Sequence, residues 1–442
     1  MNVVFDQYLK SLERTERLPP RDLARYHQEL LARLVRHAHD KLPFYRGRLD
    51  RLFTSNGEVD LSLWNSVPFL TRDEVIAHGR QLRVANLAAD YGDVGEIQTS
   101  GSTGTPLQFA VNSMVLFVGN ALFARAARRF GVDTSRPLAM IEPFRDQPVP
   151  PYPGGAIKRG WSHADPTAPC YQLDFTTPAD QQVEWLARRK APYLLTHPST
   201  ALGIAYAVTP DQGRALGIEV VLLIGETVQD GTRELVAERL GARVAAIYAC
   251  REIGHIASEC EATRYYHVAV ENVLVEIVDS GGRDVPPGER GRVIITGLYN
   301  YAMPFIRYEV GDVAVAGAEQ CSCGRTLPVI KQIEGRTRNM FVFRDGTRFW
   351  PRSFMIRPMR AFVPFRHYQL VQLDHETIEF RYTPDGSGRA PDLTALNAYA
   401  RQIIHPSVHV RAIEVEVLSA GPSGKLEQFI SKLPAAIPSS SS

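Results

Sequence analysis

Short β-branched runs that alternate with helical patterns through the middle of the chain restrict its fold more than any other feature. Residues 243–249 (RVAAIYA), 273–280 (VLVEIVDS) and 291–298 (GRVIITGL) are apolar segments of strand length, and 228–240 (VQDGTRELVAERL) has helical spacing. Such a mixture predicts an α/β fold with mixed sheets. Upstream, residues 22–51 repeat apolar positions at helical spacing, and Leu42-Pro43 marks the expected end of that helix, because proline biases its predecessor out of the helical region. Residues 144–161 (FRDQPVPPYPGGAIKRGW) are rich in Pro and Gly and are expected to form one long loop. The composition shifts after Gly335-Arg336, so residues 1–335 are expected to form a large α/β domain and 336–442 a small α+β domain. The closing Pro-Ser-Ser-Ser-Ser-Ser run is disordered by composition.

Charge and cysteine usage narrow the class of function. The 442 residues carry 50 Lys and Arg against 48 Asp and Glu, a net charge of +2, which makes nucleic acid a poor partner. No apolar run approaches the ~18 residues a membrane span needs, and the N-terminus is charged and amphipathic. A cytoplasmic protein is expected. Five cysteines in a chain this long are no disulfide framework and fit a reducing compartment.

The strongest local signal is Thr99-Ser100-Gly101-Ser102-Thr103-Gly104-Thr105-Pro106. Its glycines free the backbone to approach a ligand, and its hydroxyls and successive N–H groups can wrap phosphate oxygens. The ending of a Walker loop is missing. Taken alone, the stretch also suits an ordinary flexible turn.

Other segments stand in order behind it: Ile224-Gly225-Glu226-Thr227, Tyr248-Ala249-Cys250-Arg251-Glu252, Pro304-Phe-Ile-Arg-Tyr-Glu-Val-Gly-Asp312, Gly335-Arg336 and Pro422-Ser-Gly-Lys425, with Pro43-Phe-Tyr-Arg46 near the N-terminus. Together with the phosphate loop they resemble the adenylate-forming (AMP-binding) superfamily, and within it the phenylacetate–CoA ligase-like branch. The resemblance covers nearly the whole chain. It implies a large N-terminal domain that binds ATP and the acid, and a small mobile C-terminal domain that bears a lysine. It also implies activation of a small, aromatic carboxylic acid as its acyl-AMP, followed by transfer to coenzyme A. By the same resemblance Thr99 to Gly104 cradle the phosphates, Gly225, Glu226 and Thr227 carry the adenine, and Tyr248 packs on it. Asp312 accepts the ribose hydroxyls, Arg336 touches ribose or phosphate, and Glu252 holds Mg²⁺ through hard carboxylate oxygen. Lys425 neutralises charge on the α-phosphate and carboxylate.

Each residue also has a plain reading: a Gly-Asp turn, a solvated Glu, a core Tyr, a loop Lys. Three positions depart from the family pattern. Arg251 replaces a Ser or Thr beside the phosphate, Thr105 replaces a lysine, and Arg338-Asn339 replaces an Asp-Asp pair after the hinge. The last departure raises the expectation that acyl-AMP forms while its transfer to CoA is slowed. The rival acceptors are an amine, a carrier-protein thiol or another biosynthetic nucleophile. A non-catalytic nucleotide- or acyl-binding protein is the rival of another class, although Lys425, Glu252 and Asp312 are all present.

Cys321-Ser-Cys323 cannot close an ordinary disulfide at one-residue spacing. With Cys260 and His267 it would make a closed tetrahedral, structural Zn²⁺ site, with His255 the alternative fourth ligand. Free thiols are the plain alternative; the resembled branch carries a similar Cys/His set. Cys170 has no evident partner. Phe144, Tyr152, His197, Ala249 and Cys250 are the candidates for the acid pocket, and His197 equally suits a satisfied core histidine. Expected partners are the acid, ATP and coenzyme A or a carrier protein, with a homodimer as the assembly considered.

Overall fold

The computed structural model of the chain describes residues 3–98, 107–144, 149–163, 165–228, 231–318, 320–336, 340–349, 351, 355–418 and 428–433, the side chains of residues 336, 348 and 357 excepted. Three helices lead the chain: α1 (Val3–Thr15), α2 (Pro20–Lys41) and α3 (Pro43–Leu49). The proline expected to stop α2 does so: Leu42 is extended (φ −121°), and Pro43 opens α3 at a first-turn position where its missing N–H costs nothing. The buried hydroxyl of Tyr45 donates to Pro304 O at 2.7 Å and accepts from Ile306 N at 3.3 Å, tying these helices to the segment before Asp312.

Helix α4 (Arg72–His78) opens on a Thr71/Glu74 capping box. A hairpin, β1 (Val94–Gln98) and β2 (Gln108–Asn112), brackets the glycine-rich loop, and α5 (Ser113–Arg129) follows. Then come β3 (Leu138–Glu142), β4 (Ala156–Arg159), β5 (Pro169–Asp174), α6 (Ala179–Arg189), β6 (Tyr193–Thr196), α7 (Pro198–Ala207), α8 (Pro210–Ala215), β7 (Val220–Ile224), α9 (Thr232–Leu240) and β8 (Arg243–Cys250). A run of antiparallel strands follows: β9 (Gly254–Glu259), β10 (Tyr266–Val268), β11 (Val273–Val278), β12 (Arg290–Gly297), β13 (Tyr308–Ala316) and β14 (Val329–Arg336). Twelve of these strands form one mixed sheet in the order β11-β12-β13-β14-β10-β9-β8-β7-β6-β3-β5-β4. Strands β6 and β7 read as unbroken apolar runs because helices cover both faces of the parallel part.

The three strands read from sequence agree with β8, β11 and β12 to within two residues at each end. The expected loop at 144–161 contains β4, an edge strand that Pro and Gly concealed. Gly155 admits it: φ is +67°, and a Cβ there would meet Gln172 O at 2.4 Å.

A second unit follows the large sheet. The hairpin β15 (Phe341–Val342) and β16 (Arg348–Phe349), α10 (Ile356–Met359) and α11 (Leu393–Ile403) accompany a four-stranded sheet. Its order is β19 (His409–Glu414), β18 (Thr377–Pro384), β17 (Phe365–Gln372), β20 (Phe429–Ser431). Phe343, Met359, Leu370, Phe380, Leu396 and Val410 sit in a core separate from that of the large sheet. Among the described residues no helix is long and apolar enough to cross a membrane.

Candidate active site

Strands β3, β6, β7 and β8 are adjacent and parallel, with Ile141, Thr196, Leu223 and Ala246 in one register row. The residues that follow therefore emerge along one edge: Phe144, His197, Gly225 to Thr227, and Tyr248 to Cys250. Ligands of open parallel sheets bind beyond these carboxyl ends.

Glu226 is held there by the start of α7. Ser199 donates to its carboxylate from both backbone N and Oγ, each at 3.0 Å, and His197 Nδ1 lies 3.9 Å away. Pro198 opens the helix, and the helix dipole favours an anion at that end. The turn needs Gly225, whose φ is +82°. Thr227 lies against Gly335, where an added Cβ would meet Thr227 Oγ1 at 3.1 Å, so the turn and the expected hinge touch. Sequence reasoning singled out His197 in this segment and passed over Ser199. The signal was present: a Pro-Ser pair at a strand end marks a helix N-terminus.

Opposite the turn, the Tyr248 hydroxyl donates to Asp312 Oδ2 at 2.7 Å. Asp312 is 9% exposed and pairs in register with Arg336. Glu252, buried just beyond β8, accepts from the Tyr308 hydroxyl at 3.4 Å. Burial, with Glu252 beside it, pushes the Tyr308 phenol far up and keeps it a neutral donor. Burial and the Glu252 carboxylate likewise push the Cys250 thiol well up, which suits a pocket wall and not a nucleophile. Ala249 pairs with His255 in the ladder. Arg251 donates from Nη1 to Gln98 O at 3.1 Å, so this cation stands at the entrance to the glycine-rich loop.

The Tyr152 hydroxyl donates to Glu184 on α6, and the Arg188 guanidinium lies 5.8 Å from its ring centroid. His197 is buried, with the Phe175 ring edge-on at 6.0 Å. Thr99 to Gly104, Thr105, Arg338, Asn339 and Lys425 lie outside the described residues, as does the side chain of Arg336.

A second cluster lies where β9, β10 and the turn before β14 meet. The donor atoms of Cys260, His267, Cys321 and Cys323 all fall within 4.8 Å of one another. Cys321 Sγ is 3.8 Å from Cys260 Sγ, and His267 Nε2 is 3.2 Å from Cys323 Sγ. Zn–S bonds of about 2.3 Å in a tetrahedron place sulfurs about 3.8 Å apart, so the four groups fit zinc. Thr263 Oγ1 at 3.3 Å from Cys321 and Arg325 Nη1 at 3.6 Å from Cys323 can balance thiolate charge. Burial, aided by Arg129, holds the His267 imidazole down at about 4, which keeps it neutral as a ligand must be. His255, the alternative ligand, is not part of the group; it is buried in β9, where its carbonyl accepts from Asn272.

No family profile matches the sequence. A phenylacetate–coenzyme A ligase of Thermus thermophilus is 27% identical over 383 residues, spanning 82% of this chain and 81% of the relative. The structure of a 2-hydroxyisobutyryl-CoA ligase in the postadenylation state, with R3-HIB-AMP bound, superposes with a TM-score of 0.74 at 18% identity over 95% of this chain and 92% of that one. An anthranilate CoA ligase with anthranoyl-AMP gives 0.55 at 14% identity over 83% and 73%. The chain's sequence is thus similar to that of phenylacetate–CoA ligases, and its fold is that of the adenylate-forming CoA ligases. Its two sheet units superpose better on that postadenylation structure than on another state of the same ligase. Against the thioester-forming state of the same 2-hydroxyisobutyryl-CoA ligase the TM-score falls to 0.62 at equal coverage.

Proposed function

We propose that the chain is an AMP-forming acid–CoA ligase that activates a small aromatic acid and passes it to coenzyme A. The observation that carries this reading is the Tyr248–Asp312 hydrogen bond at the strand edge, with Glu252 four residues beyond Tyr248. An aromatic ring, a carboxylate for ribose hydroxyls and a hard oxygen donor stand together there. An oxygen of the acid attacks the α-phosphorus of ATP, and pyrophosphate leaves. Such a step is governed by positioning and charge neutralisation more than by covalent help from the protein. Asp312 and Tyr248 orient the nucleoside, Glu226 fixes the adenine turn, and Arg251 adds positive charge beside the phosphate loop. Glu252 would hold Mg²⁺, which screens the phosphates, and Lys425 would close on the reacting oxygens. The thiol of CoA then attacks the acyl carbon, and AMP departs.

Phe144, His197, Ala249 and Cys250 at the strand ends favour a flat, mostly apolar acid. Pyrophosphate exchange against benzoic, hydroxybenzoic, aminobenzoic, phenylacetic and 2-hydroxyisobutyric acids tests the proposal. Exchange with at least one aromatic acid is expected. Exchange with the aliphatic acid alone would discard the aromatic preference, and none with any acid would discard the activity.

The Cys/His cluster is proposed to hold one structural zinc, whose contribution is to fasten strands together. Metal analysis of untagged protein should find about one zinc per chain, and Cys321→Ser should lose both the metal and stability. Protein that is metal-free and equally stable would overturn the assignment.

A further inference from the structure

Arg360 belongs to the small unit, yet its guanidinium carbon lies 4.2 Å from the ring centroid of Tyr206, in the last turn of α7. The same group also lies 4.3 Å from the Phe365 ring centroid and donates from Nη1 to Phe365 O at 2.9 Å. The Arg389 guanidinium in turn donates to Arg360 O at 2.6 Å and Ala361 O at 3.0 Å. The small unit thus fixes Arg360 with its own groups and presents a flat cation to a tyrosine of the large unit. Tyr206 is 46% exposed, so the large unit does not bury it.

Beside this pair a cavity of about 570 Å³ opens between the units, with Ser199, Leu202 and Tyr206 on one wall and Phe365, His367 and Tyr368 on the other. The two surfaces therefore meet without continuous packing, as suits an interface that opens. Helix α7 has ten residues and spans about 15 Å. Its far end holds Glu226 of the adenine turn through Ser199.

We propose that Arg360 and Tyr206 are positioning residues, a latch that holds the small unit in the acyl-AMP-forming arrangement and links it through α7 to the Gly225–Thr227 turn. The proposal rests on the ligase reading for its two half-reactions. A guanidinium stacked on an aromatic ring at a part-exposed site biases a two-state balance by about 2- to 10-fold. Opening the latch should therefore act on the half-reactions in opposite directions, whereas simple damage to the fold would lower both.

The test uses the full chain with Tyr206→Leu, Tyr206→Phe and Arg360→Ala. Tyr206→Leu and Arg360→Ala are each expected to slow pyrophosphate exchange by about 2- to 10-fold while leaving or raising thioester formation from supplied acyl-AMP. Both should raise deuterium uptake in residues 356–368, and the double variant should go no further than either single one. Tyr206→Phe keeps the ring face and should behave as the parent. Equal loss in both half-reactions, uptake unchanged from the parent, or Tyr206→Phe behaving like Tyr206→Leu would overturn the latch. If the parent shows no exchange with any acid, the ligase reading falls, and the deuterium comparison still decides the latch.

Discussion

Replacing Lys425 with alanine is expected to slow acyl-adenylate formation by about 10²-fold or more, the scale seen when one preorganised charge-stabilising donor is lost. In the proposed reaction an anionic carboxylate must approach an anionic α-phosphate, and pyrophosphate carries charge away as the P–O bond breaks. Arg251, a cation of the described site, is already bonded to the carbonyl of Gln98. Glu252 and Asp312 add negative charge at the described site, which sharpens the need for a compact ammonium. Thioester formation from supplied acyl-AMP has no pyrophosphate to release and should change far less. Stopped assays of the two half-reactions distinguish these outcomes. Equal loss in both would remove Lys425 from the adenylation step.

The second large effect concerns stability. Arg307, 1% exposed, precedes Tyr308 in the segment that leads to Asp312. Its guanidinium donates to Glu276 at 2.7 and 3.3 Å, to Val67 O at 2.6 Å and to Asn65 O at 3.1 Å, and it lies 4.5 Å from the Phe69 ring centroid. Its φ of +48° is a costly conformation for a non-glycine residue, which this network holds in place. Burial already pushes the Glu276 carboxyl up, with Arg307 pulling the other way. Arg307→Met strands that carboxylate and should cost about 3–5 kcal/mol, the scale for breaking a buried pair. Arg307→Met combined with Glu276→Leu should recover most of the loss. Denaturant midpoints measure both, and an unchanged midpoint in the single variant would refute the account.

What could be read from sequence follows the range over which the physics acts. Strands such as β8 and β12 announce themselves through local apolar runs, and α2 through its spacing and Pro43. Strand β4 did not, because its pairing with β5 is set by neighbours and not by its own Pro- and Gly-rich surroundings. The residues of the proposed nucleotide site were singled out one by one through resemblance. Their joining was not: Tyr248 and Asp312 stand 64 positions apart. The bond from Tyr152 to Glu184 and its contact with Arg188 were likewise not legible, because they lie on a helix whose placement only the fold determines. No local pattern marks Arg360 as a partner of Tyr206.

The large sheet narrows to a seam at β10, three residues long, which meets β14 through only two register pairs, Tyr266 with Ile330 and His267 with Val329. Tyr248 belongs to the part of the sheet on one side of that seam and Asp312 to the part on the other. Cys260 and His267 sit on one flank, Cys321 and Cys323 on the other, so a metal held by all four would be a rivet through the seam. Its state would therefore be felt far from the sulfurs: oxidation of these thiols would let Tyr248 and Asp312 drift out of alignment.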